Sequence, residues 1–380
     1  MSLWHLDPNV AFLNHGSFGA TPRKVLDAQT KWRERFEAQP IEMLDRQGGE
    51  LLSQARKAVG EFVGSRGDDL AFVANATCGI NAVLRSIDIR PGDELLTTNH
   101  VYNGVRQTFR YIAGCTGAKY IELEIPIPIH SEEQVINAIA EAITDRTRIL
   151  VIDHITSDTA IIFPVKRIVD LCHKNNVEVL VDGAHAPGMI DLNISEIAPT
   201  YYAANLHKWV CAPKGAAFLW VTPEHQNQIH PNTISHFLNE GFVEEFKWQA
   251  TRDITAWLSV PNAIEYLADI GWHKIKQHNH QLATWAQAML SERWDVTATT
   301  PLDGSMLGSM TSLPLPANAK AYKEPRLFMR HLYVDHKIEV PINDWQGQWL
   351  IRPSCQIYNL ASEYERLADA VITLCESAGR

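Results

Sequence analysis

The sequence lacks the features that mark several common classes of protein. No apolar run approaches the roughly 20 residues of a membrane-spanning helix. Met1–Gly19 shows no basic stretch followed by an apolar core, so we expect neither a membrane partner nor a secretory signal. The six cysteines are scattered without a C-x-x-C pair, which favours reduced thiols in a cytoplasmic protein. There are 16 histidines but no H-E-x-x-H motif, and no metal is expected.

Excess positive charge is missing as well. The chain has 34 Lys and Arg against 44 Asp and Glu, for a net charge of −10, which argues against nucleic acid as a partner. Neither G-x-S-x-G nor G-x-G-x-x-G follows a predicted strand, so an α/β hydrolase and a nicotinamide dehydrogenase are disfavoured. The 380 residues are 46% hydrophobic and suffice for one large domain plus a smaller one.

Apolar strands alternate with helical patterns between about residues 47 and 221. Ile149–Asp153, Val177–Asp182 and Ala216–Val221 are continuous apolar runs, as in a parallel sheet that helices cover on both faces. From about residue 254 long helical patterns dominate. We therefore predict an α/β fold with an N-terminal segment over 1–20, a large domain over 21–253 and a small α+β domain over 254–380.

Two strand ends carry the most informative side chains. In parallel sheets, ligands bind beyond the carboxyl ends of the strands. Asp182 closes an apolar strand, where an unpaired carboxylate is costly, so a cation such as a protonated pyridine nitrogen is expected beside it. Lys208 follows 26 residues later in apolar surroundings, where desolvation would make its amine nucleophilic towards an aldehyde. Most single lysines are surface groups, but the two signals together are specific.

A further strand end enters a helix through the small polar turn Asn75–Gly79. A helix N-terminus presents free N–H groups and partial positive charge, which suit a phosphate group. An ordinary N-cap by Asn75 or Thr77 explains the same residues equally well. The turn alone does not decide between the two interpretations.

Seven motifs, in order along nearly the whole chain, carry a resemblance: Phe12–Gly19, Asn75–Gly79, Asp182–Ala186, Asn205–Trp209, Thr251–Asp253, Ile338–Pro341 and Arg352–Asn359. On these motifs the chain resembles the class V aminotransferase family of fold type I pyridoxal-phosphate enzymes, and within it the isopenicillin N epimerase-like branch. The resemblance implies a mostly parallel central sheet flanked by helices, pyridoxal 5′-phosphate as cofactor, a small amino-acid substrate and a homodimer.

The resemblance also assigns roles around the cofactor. It implies that Lys208 holds the cofactor as a Schiff base, that Asp182 pairs with the pyridinium nitrogen, and that His185 contacts the phenolic oxygen of the ring. Ser157 stands where relatives often use Asn at that oxygen. The implied phosphate-binding set is Thr77, the backbone of Cys78, His207 and Asn205.

Other implied roles concern the substrate and the neighbouring subunit. Either His100 or Tyr102 stacks on the cofactor ring, and either is a candidate catalytic acid on the face opposite Lys208. Thr251 matches a threonine that reaches the phosphate of the neighbouring subunit. The residues implied to bind the substrate are Arg352, which clamps the α-carboxylate, with Asn14 and His15 at the same end.

The implied chemistry starts with removal of the substrate Cα proton by Lys208. Reprotonation on the opposite face gives an epimerase, the preferred interpretation, and loss of a sulfur substituent gives a lyase of the cysteine-conjugate or hercynylcysteine sulfoxide kind. Transamination is a third outcome. No cysteine stands shortly before Arg352, which disfavours the persulfide chemistry of cysteine desulfurases. The alternative to an enzyme is a non-catalytic protein that binds the cofactor and senses an amino acid, although no basic patch or DNA-binding segment supports it.

Overall fold

The protein is built around a seven-stranded sheet with helices on both faces. The computed structural model of the chain describes residues 3–377. The strands are β1 (Ala11–Phe12), β2 (Leu70–Val73), β3 (Glu94–Thr98), β4 (Lys119–Leu123), β5 (Thr147–Asp153), β6 (Glu178–Asp182), β7 (Tyr201–Asn205), β8 (Ala217–Val221), β9 (Leu313–Pro314), β10 (Ile338–Glu339), β11 (Ile342–Trp345) and β12 (Gln348–Ile351). The helices are α1 (His15–Phe18), α2 (Arg23–Ala38), α3 (Gly48–Phe62), α4 (Ala76–Ser86), α5 (Asn103–Thr116), α6 (Glu132–Ala142), α7 (Val165–Lys174), α8 (Ile194–Ile197), α9 (Phe242–Lys247), α10 (Thr255–Leu258), α11 (Val260–Ile270), α12 (Trp272–Trp294), α13 (Pro325–His336) and α14 (Ala361–Ser377).

The strand order of the central sheet is β2-β8-β7-β6-β5-β3-β4. All neighbours are parallel except at β8, which runs antiparallel to both β7 and β2. Parallel neighbours require a crossover connection, usually a helix. Residues 206–216 between β7 and β8 contain no helix, so the chain turns back and β8 is reversed. The predicted mostly parallel sheet is confirmed, with β8 as the exception.

Alternate residues of the central strands fill two different cores. Leu150 and Ile152 of β5 pack with α2, α3, α6 and α7, whereas Ile149 and Val151 pack with α4, α5 and α9. Successive side chains of a strand point to opposite faces. A strand buried on both faces must therefore be apolar at every position, which is why the sequence reads as a continuous apolar run.

The C-terminal part of the chain forms a third core between α12, α13 and α14 and the antiparallel sheet of β11, β12 and β9. The N-terminal segment joins it, because β1 pairs with β10 and Leu13 packs in this core. Residues 254–263, by contrast, pack with α2 and α3 in the core of the large domain. We therefore propose a domain boundary near the start of α12, later than the predicted boundary after residue 253. Residues 1–2 and 378–380 of the predicted domains lie outside the described residues.

Candidate active site

Three of the predicted site residues, Asp182, Asn205 and Lys208, lie at the carboxyl edge of the central sheet. Asp153 and Asp182 end the neighbouring strands β5 and β6 and are paired in register. Asn205 ends the next strand, β7, and Lys208 follows it on the connection to β8. Because the strands are parallel, their last residues meet at one edge, where ligands of such sheets bind. The structure therefore brings Asp182 and Lys208 to one place, as predicted.

Asp182 is a buried carboxylate, 3% exposed. Its Oδ1 accepts a hydrogen bond of 3.0 Å from the backbone N–H of Ala184. Burial raises the pKa of Asp182 to about 6, while this hydrogen bond and the charge of Lys208 act in the opposite direction. At neutral pH the side chain is therefore mainly ionised, and it can hold a cation at the sheet edge.

Lys208 is half-buried, and its Nζ lies 3.1 Å from Nε2 of His185. Burial, followed by the charge of Arg352, lowers the pKa of Lys208 to about 7, while Asp182 and Asp153 partly oppose this shift. A large share of this amine is therefore uncharged at neutral pH, unlike an ordinary lysine. An uncharged amine is the form that attacks an aldehyde or removes a proton.

The start of α4 has two backbone N–H groups bonded by asparagine side chains. Asn75 caps the helix by accepting a 2.9 Å hydrogen bond from Cys78 N–H, and Asn205 Oδ1 accepts one of 2.9 Å from Ala76 N–H. Asn205 thus supports the helix end and was predicted as a phosphate contact. Thr77 lies between the two bonded positions. The predicted contacts of Thr77 and of the Cys78 backbone with a phosphate stay predictions.

His207 lies beside Lys208 on the connection from β7 to β8. Its Nδ1 contacts the carbonyl oxygen of Ala216 at 3.0 Å, so Nδ1 must be the donor and the proton-free Nε2 is left for other partners. Burial and the charge of Lys208 lower its pKa to about 4. Its predicted role at the phosphate therefore requires either protonation of Nε2 or acceptance from a phosphate O–H group.

Arg352 is buried, 3% exposed, and held by two serines. Its Nη1 donates to the backbone carbonyl of Ser157 at 2.6 Å, and its Nη2 donates to Ser17 Oγ at 3.1 Å. Nε has no hydrogen-bond partner. Ser157, predicted at the phenolic oxygen, is thus bonded to the predicted substrate clamp. A buried guanidinium with a free N–H group suits a carboxylate ligand.

The two aromatic candidates lie in different surroundings. His100 is 2% exposed; Nδ1 contacts Thr159 Oγ1 and Nε2 contacts the carbonyl of Ile125, both at 2.8 Å. Burial lowers the pKa of His100 to about 4, so it is neutral and both of its nitrogens are engaged. Tyr102 is 46% exposed, and its backbone is hydrogen-bonded to Asp153. Tyr102 is therefore the more accessible of the two, and which of them stacks on the cofactor ring or transfers a proton stays a prediction.

The two N-terminal candidates are held by protein groups. His15 is fully buried, with Nδ1 2.8 Å from the Tyr358 hydroxyl and Nε2 3.0 Å from the carbonyl of Lys208. Asn14 donates to Glu339 and accepts from Ser17. His15 therefore contacts the backbone of the lysine, and Asn14 contacts Ser17, which in turn contacts Arg352. The predicted substrate contacts of His15 and Asn14 stay predictions.

Thr251 is exposed and follows Ala250, which has a φ of +66°. The neighbouring Arg252 has an Nε without a hydrogen-bond partner, and its guanidinium lies over the Trp257 ring at 5.4 Å. The predicted contact of Thr251 with a neighbouring subunit stays a prediction.

Three residues of the site were not predicted from the sequence: Asp153, Ser17 and Trp209. Asp153 was recognised only as the acidic end of an apolar strand, the same signal that identified Asp182. Its Oδ2 is buried without a hydrogen-bond partner, and burial together with Asp182 raises its pKa well above the usual range. The signal for Ser17 was its place in the motif Phe12–Gly19. The signal for Trp209 was likewise its place in the motif Asn205–Trp209.

These groups fit pyridoxal phosphate in chemical type. A buried anion can hold the ring nitrogen, an amine with a lowered pKa can bond an aldehyde, and a helix N-terminus can bind a phosphate. The described part of the chain contains no group of three or more His, Cys, Asp or Glu side chains that could hold a metal ion. No helix within residues 3–377 is long and apolar enough to cross a membrane.

Comparison with known proteins gives three findings about the sequence. A family model described as aminotransferase class-V matches residues 12–362. An isopenicillin N epimerase from Amycolatopsis lactamdurans is 31% identical, over 96% of this chain and 95% of the relative. A putative L-cysteine desulfhydrase from rice is also 31% identical, over 97% of this chain and 83% of the relative.

Among solved structures, a variant of C-DES with glycine covalently linked to its PLP cofactor superposes with a TM-score of 0.83. The two chains are 21% identical, and the match covers 97% of each. At this identity the similarity shows the fold.

Proposed function

The chain belongs to the class V aminotransferase family, and from this premise we propose that it is a pyridoxal-phosphate-dependent amino-acid epimerase. The single observation that carries the proposal is the position of Lys208, which follows β7 at the sheet edge where Asp182 ends β6. Burial there lowers the pKa of its amine to about 7, which suits a base. When bound, pyridoxal phosphate withdraws electrons from the substrate Cα and makes its proton acidic. The protein must then bind and orient the substrate, remove the Cα proton and return a proton to Cα.

The side chains around the lysine divide this work. The guanidinium of Arg352 binds the α-carboxylate of the substrate and so fixes the position of Cα. Asp182 holds a proton on the ring nitrogen by ion pairing. Lys208 Nζ, as the uncharged amine, takes the Cα proton. The hydroxyl of Tyr102, which is half-exposed at the start of α5, is proposed to return a proton to the opposite face.

A carbon–sulfur lyase is the second candidate, and the cysteine desulfhydrase relative supports it. β-Elimination needs the same base, the same carboxylate clamp and a sulfur leaving group, but no acid on the opposite face. The two activities therefore differ in their need for Tyr102. Transamination needs a proton delivered to a carbon atom of the cofactor. None of the site residues described above favours it over the other two reactions.

The test is incubation of the holoenzyme with L-amino acids and cysteine S-conjugates in deuterated water. Deuterium at Cα with inverted configuration supports the epimerase, and release of pyruvate with a thiol supports the lyase. Tyr102→Phe should abolish inversion but leave elimination nearly unchanged. Lys208→Ala should abolish both reactions and the borohydride-dependent attachment of the cofactor. Full activity of Lys208→Ala would contradict the proposal.

We also propose a homodimer and a cytoplasmic location. The residues on either side of the exposed Thr251, Ala250 and Arg252, line one cavity together with His236 and Phe237. Ile234 and Leu238 of the same segment expose large apolar side chains, and apolar surface of this kind is typical of subunit interfaces. The cytoplasmic location rests on the cysteine pattern of the sequence. Sedimentation of the purified holoenzyme tests the dimer.

A further inference from the structure

The residue after the lysine determines the protonation of a histidine in the site. Trp209 Nε1 donates a hydrogen bond of 3.3 Å to Nδ1 of His185. An indole nitrogen can only donate, so Nδ1 must be the acceptor and carries no proton. If the imidazole is neutral, its single proton is therefore on Nε2.

His185 is neutral for a clear electrostatic reason. It is buried, 2% exposed, and its pKa lies well below the usual range. Burial is the main cause, followed by the positive charges of Lys208 and Arg352 and by His15 and His207. A doubly protonated ring would also present an N–H to the indole N–H. The Nε2–H tautomer is thus the form that the contacts allow.

This tautomer acts on Lys208. Nε2 of His185 lies 3.1 Å from Nζ, and with the proton on Nε2 the amine must accept the hydrogen bond. An ammonium group has three donors and no acceptor, whereas an uncharged amine has a free electron pair. The arrangement therefore favours the uncharged amine, in addition to the effects of burial and Arg352.

The position of Trp209, which determines the tautomer of His185, is fixed by burial and by ring packing. It is 1% exposed, and its ring packs against that of His15 with a centroid separation of 4.8 Å. His15 in turn contacts the carbonyl of Lys208 and the hydroxyl of Tyr358. The indole is thus anchored to the N-terminal segment and, through Tyr358, to the C-terminal unit.

We propose that Trp209 is a positioning residue that fixes His185 as its Nε2–H tautomer and thereby keeps Lys208 as an uncharged amine. The tautomer follows from the contacts alone, and its value for catalysis rests on the proposed function. When the cofactor is bound, the same N–H group is a ready donor to an oxygen in place of the amine.

The first measurement is nitrogen NMR of the cofactor-free protein with ¹⁵N-labelled histidine. We expect the wild-type spectrum to show His185 protonated at Nε2 only. Trp209→Phe removes the indole donor while keeping an aromatic ring, and should give a population protonated at Nδ1. A wild-type protein with the proton on Nδ1 would overturn the proposal, whether or not the variant folds.

The second measurement is the pH dependence of the rate at which cofactor-free protein captures pyridoxal phosphate, followed by absorbance. The uncharged fraction of Lys208 grows as pH rises through about 7, so the wild-type rate should rise across that range. In Trp209→Phe, His185 can turn an unprotonated Nε2 towards the lysine and accept from its ammonium form. This raises the pKa of Lys208 and moves the midpoint to higher pH, although Arg352, Asp182 and Asp153 still face the amine.

Trp257→Phe is the matched control. The buried indole of Trp257 donates to the backbone carbonyls of Val73 and Gly215 and contacts no titratable group through its N–H. Its loss should leave the midpoint at the wild-type pH. An unshifted midpoint in a folded Trp209→Phe protein would overturn the inference. Failure of the wild-type protein to capture cofactor would instead overturn the proposed function, and the NMR result would still stand.

Discussion

At the scale of single residues, the site is a small group of charges around one amine. The charge of Arg352 lowers the pKa of Lys208, and the acids Asp182 and Asp153 partly oppose this effect. The sequence alone predicted Lys208 and Asp182, because an acid closing an apolar strand and a lysine in apolar surroundings are both unusual. Asp153 ends the neighbouring strand β5 in the same way. Its position beside Asp182 depends on the register of the two strands, which the sequence does not specify.

Asp153 and Asp182 should behave as a pair that holds one proton near neutral pH. They end neighbouring strands in register, and such strands are about 5 Å apart. Two carboxyl groups this close do not both ionise easily. We expect Asp153→Asn to bind cofactor almost normally, because the amide replaces a neutral acid. In an Asp182→Asn background Asp153 ionises and partly replaces the lost charge, so adding Asp153→Asn should weaken binding by about tenfold more. Equal effects of Asp153→Asn in both backgrounds, measured by fluorescence titration, would contradict the pairing.

Arg352 should be required for its shape as well as its charge. Arg352→Lys keeps the positive charge but loses the planar pair of donors that matches a carboxylate. We expect the dissociation constant for an amino-acid substrate to rise by about 30-fold, which corresponds to roughly 2 kcal/mol for a charged hydrogen bond. Cofactor affinity should change little. Equal losses of both affinities, seen in the same spectral titrations, would indicate a general disturbance of the site.

At the scale of secondary-structure elements, the start of α4 is held by hydrogen bonds from two asparagine side chains. Asn75 caps the helix from its own end, as the sequence suggested, and Asn205 bonds to Ala76 N–H from the end of β7. The first contact is local and could be predicted. The second joins residues 129 positions apart, and it required knowledge that β7 ends beside α4.

The two functions of Asn205 should be separable. Asn205→Ala leaves the N–H of Ala76 without its acceptor in a buried position, and we expect a loss of about 1–3 kcal/mol in the free energy of unfolding. Asn205→Asp keeps an oxygen at this position and should unfold near the wild-type denaturant concentration. Its negative charge opposes a bound phosphate, so it should weaken cofactor affinity. The contrary result, an aspartate variant as unstable as the alanine variant, would show that the hydrogen bond is not the stabilising contact.

At the scale of the whole molecule, the two-domain plan stays a prediction, and the boundary that we propose near the start of α12 lies later than the one predicted after residue 253. Helical periodicity changes after residue 253, yet residues 254–263 still pack on α2 and α3. A change of pattern marks a change of element, whereas the extent of a domain depends on which core receives each apolar face. The reversed strand β8 was missed for a similar reason, because an apolar run shows burial and not direction.

The proposed dimer gives a complementation experiment. Thr251→Glu places a negative charge where the neighbouring phosphate is proposed to bind, and Lys208→Ala removes the base. Each homodimer should be inactive. Hybrid dimers, formed by mixing and refolding the two, contain one site with neither change if Thr251 acts on the neighbouring subunit. Activity in the mixture is the expected outcome, and an inactive mixture that contains hybrids by mass would mean that Thr251 acts within its own subunit.

The N-terminal segment contacts both halves of the protein within a few residues. β1 is a strand of the C-terminal unit, and Gly19, with a φ of +71°, lies so close to the lysine loop that a Cβ would come within 2.1 Å of the His207 carbonyl oxygen. This short stretch therefore connects the C-terminal unit to the loop that carries Lys208. A bulky side chain at position 19, or a tag that displaces residues 11–19, would shift the backbone of Lys208. It would thereby lower activity without itself contacting a reacting atom.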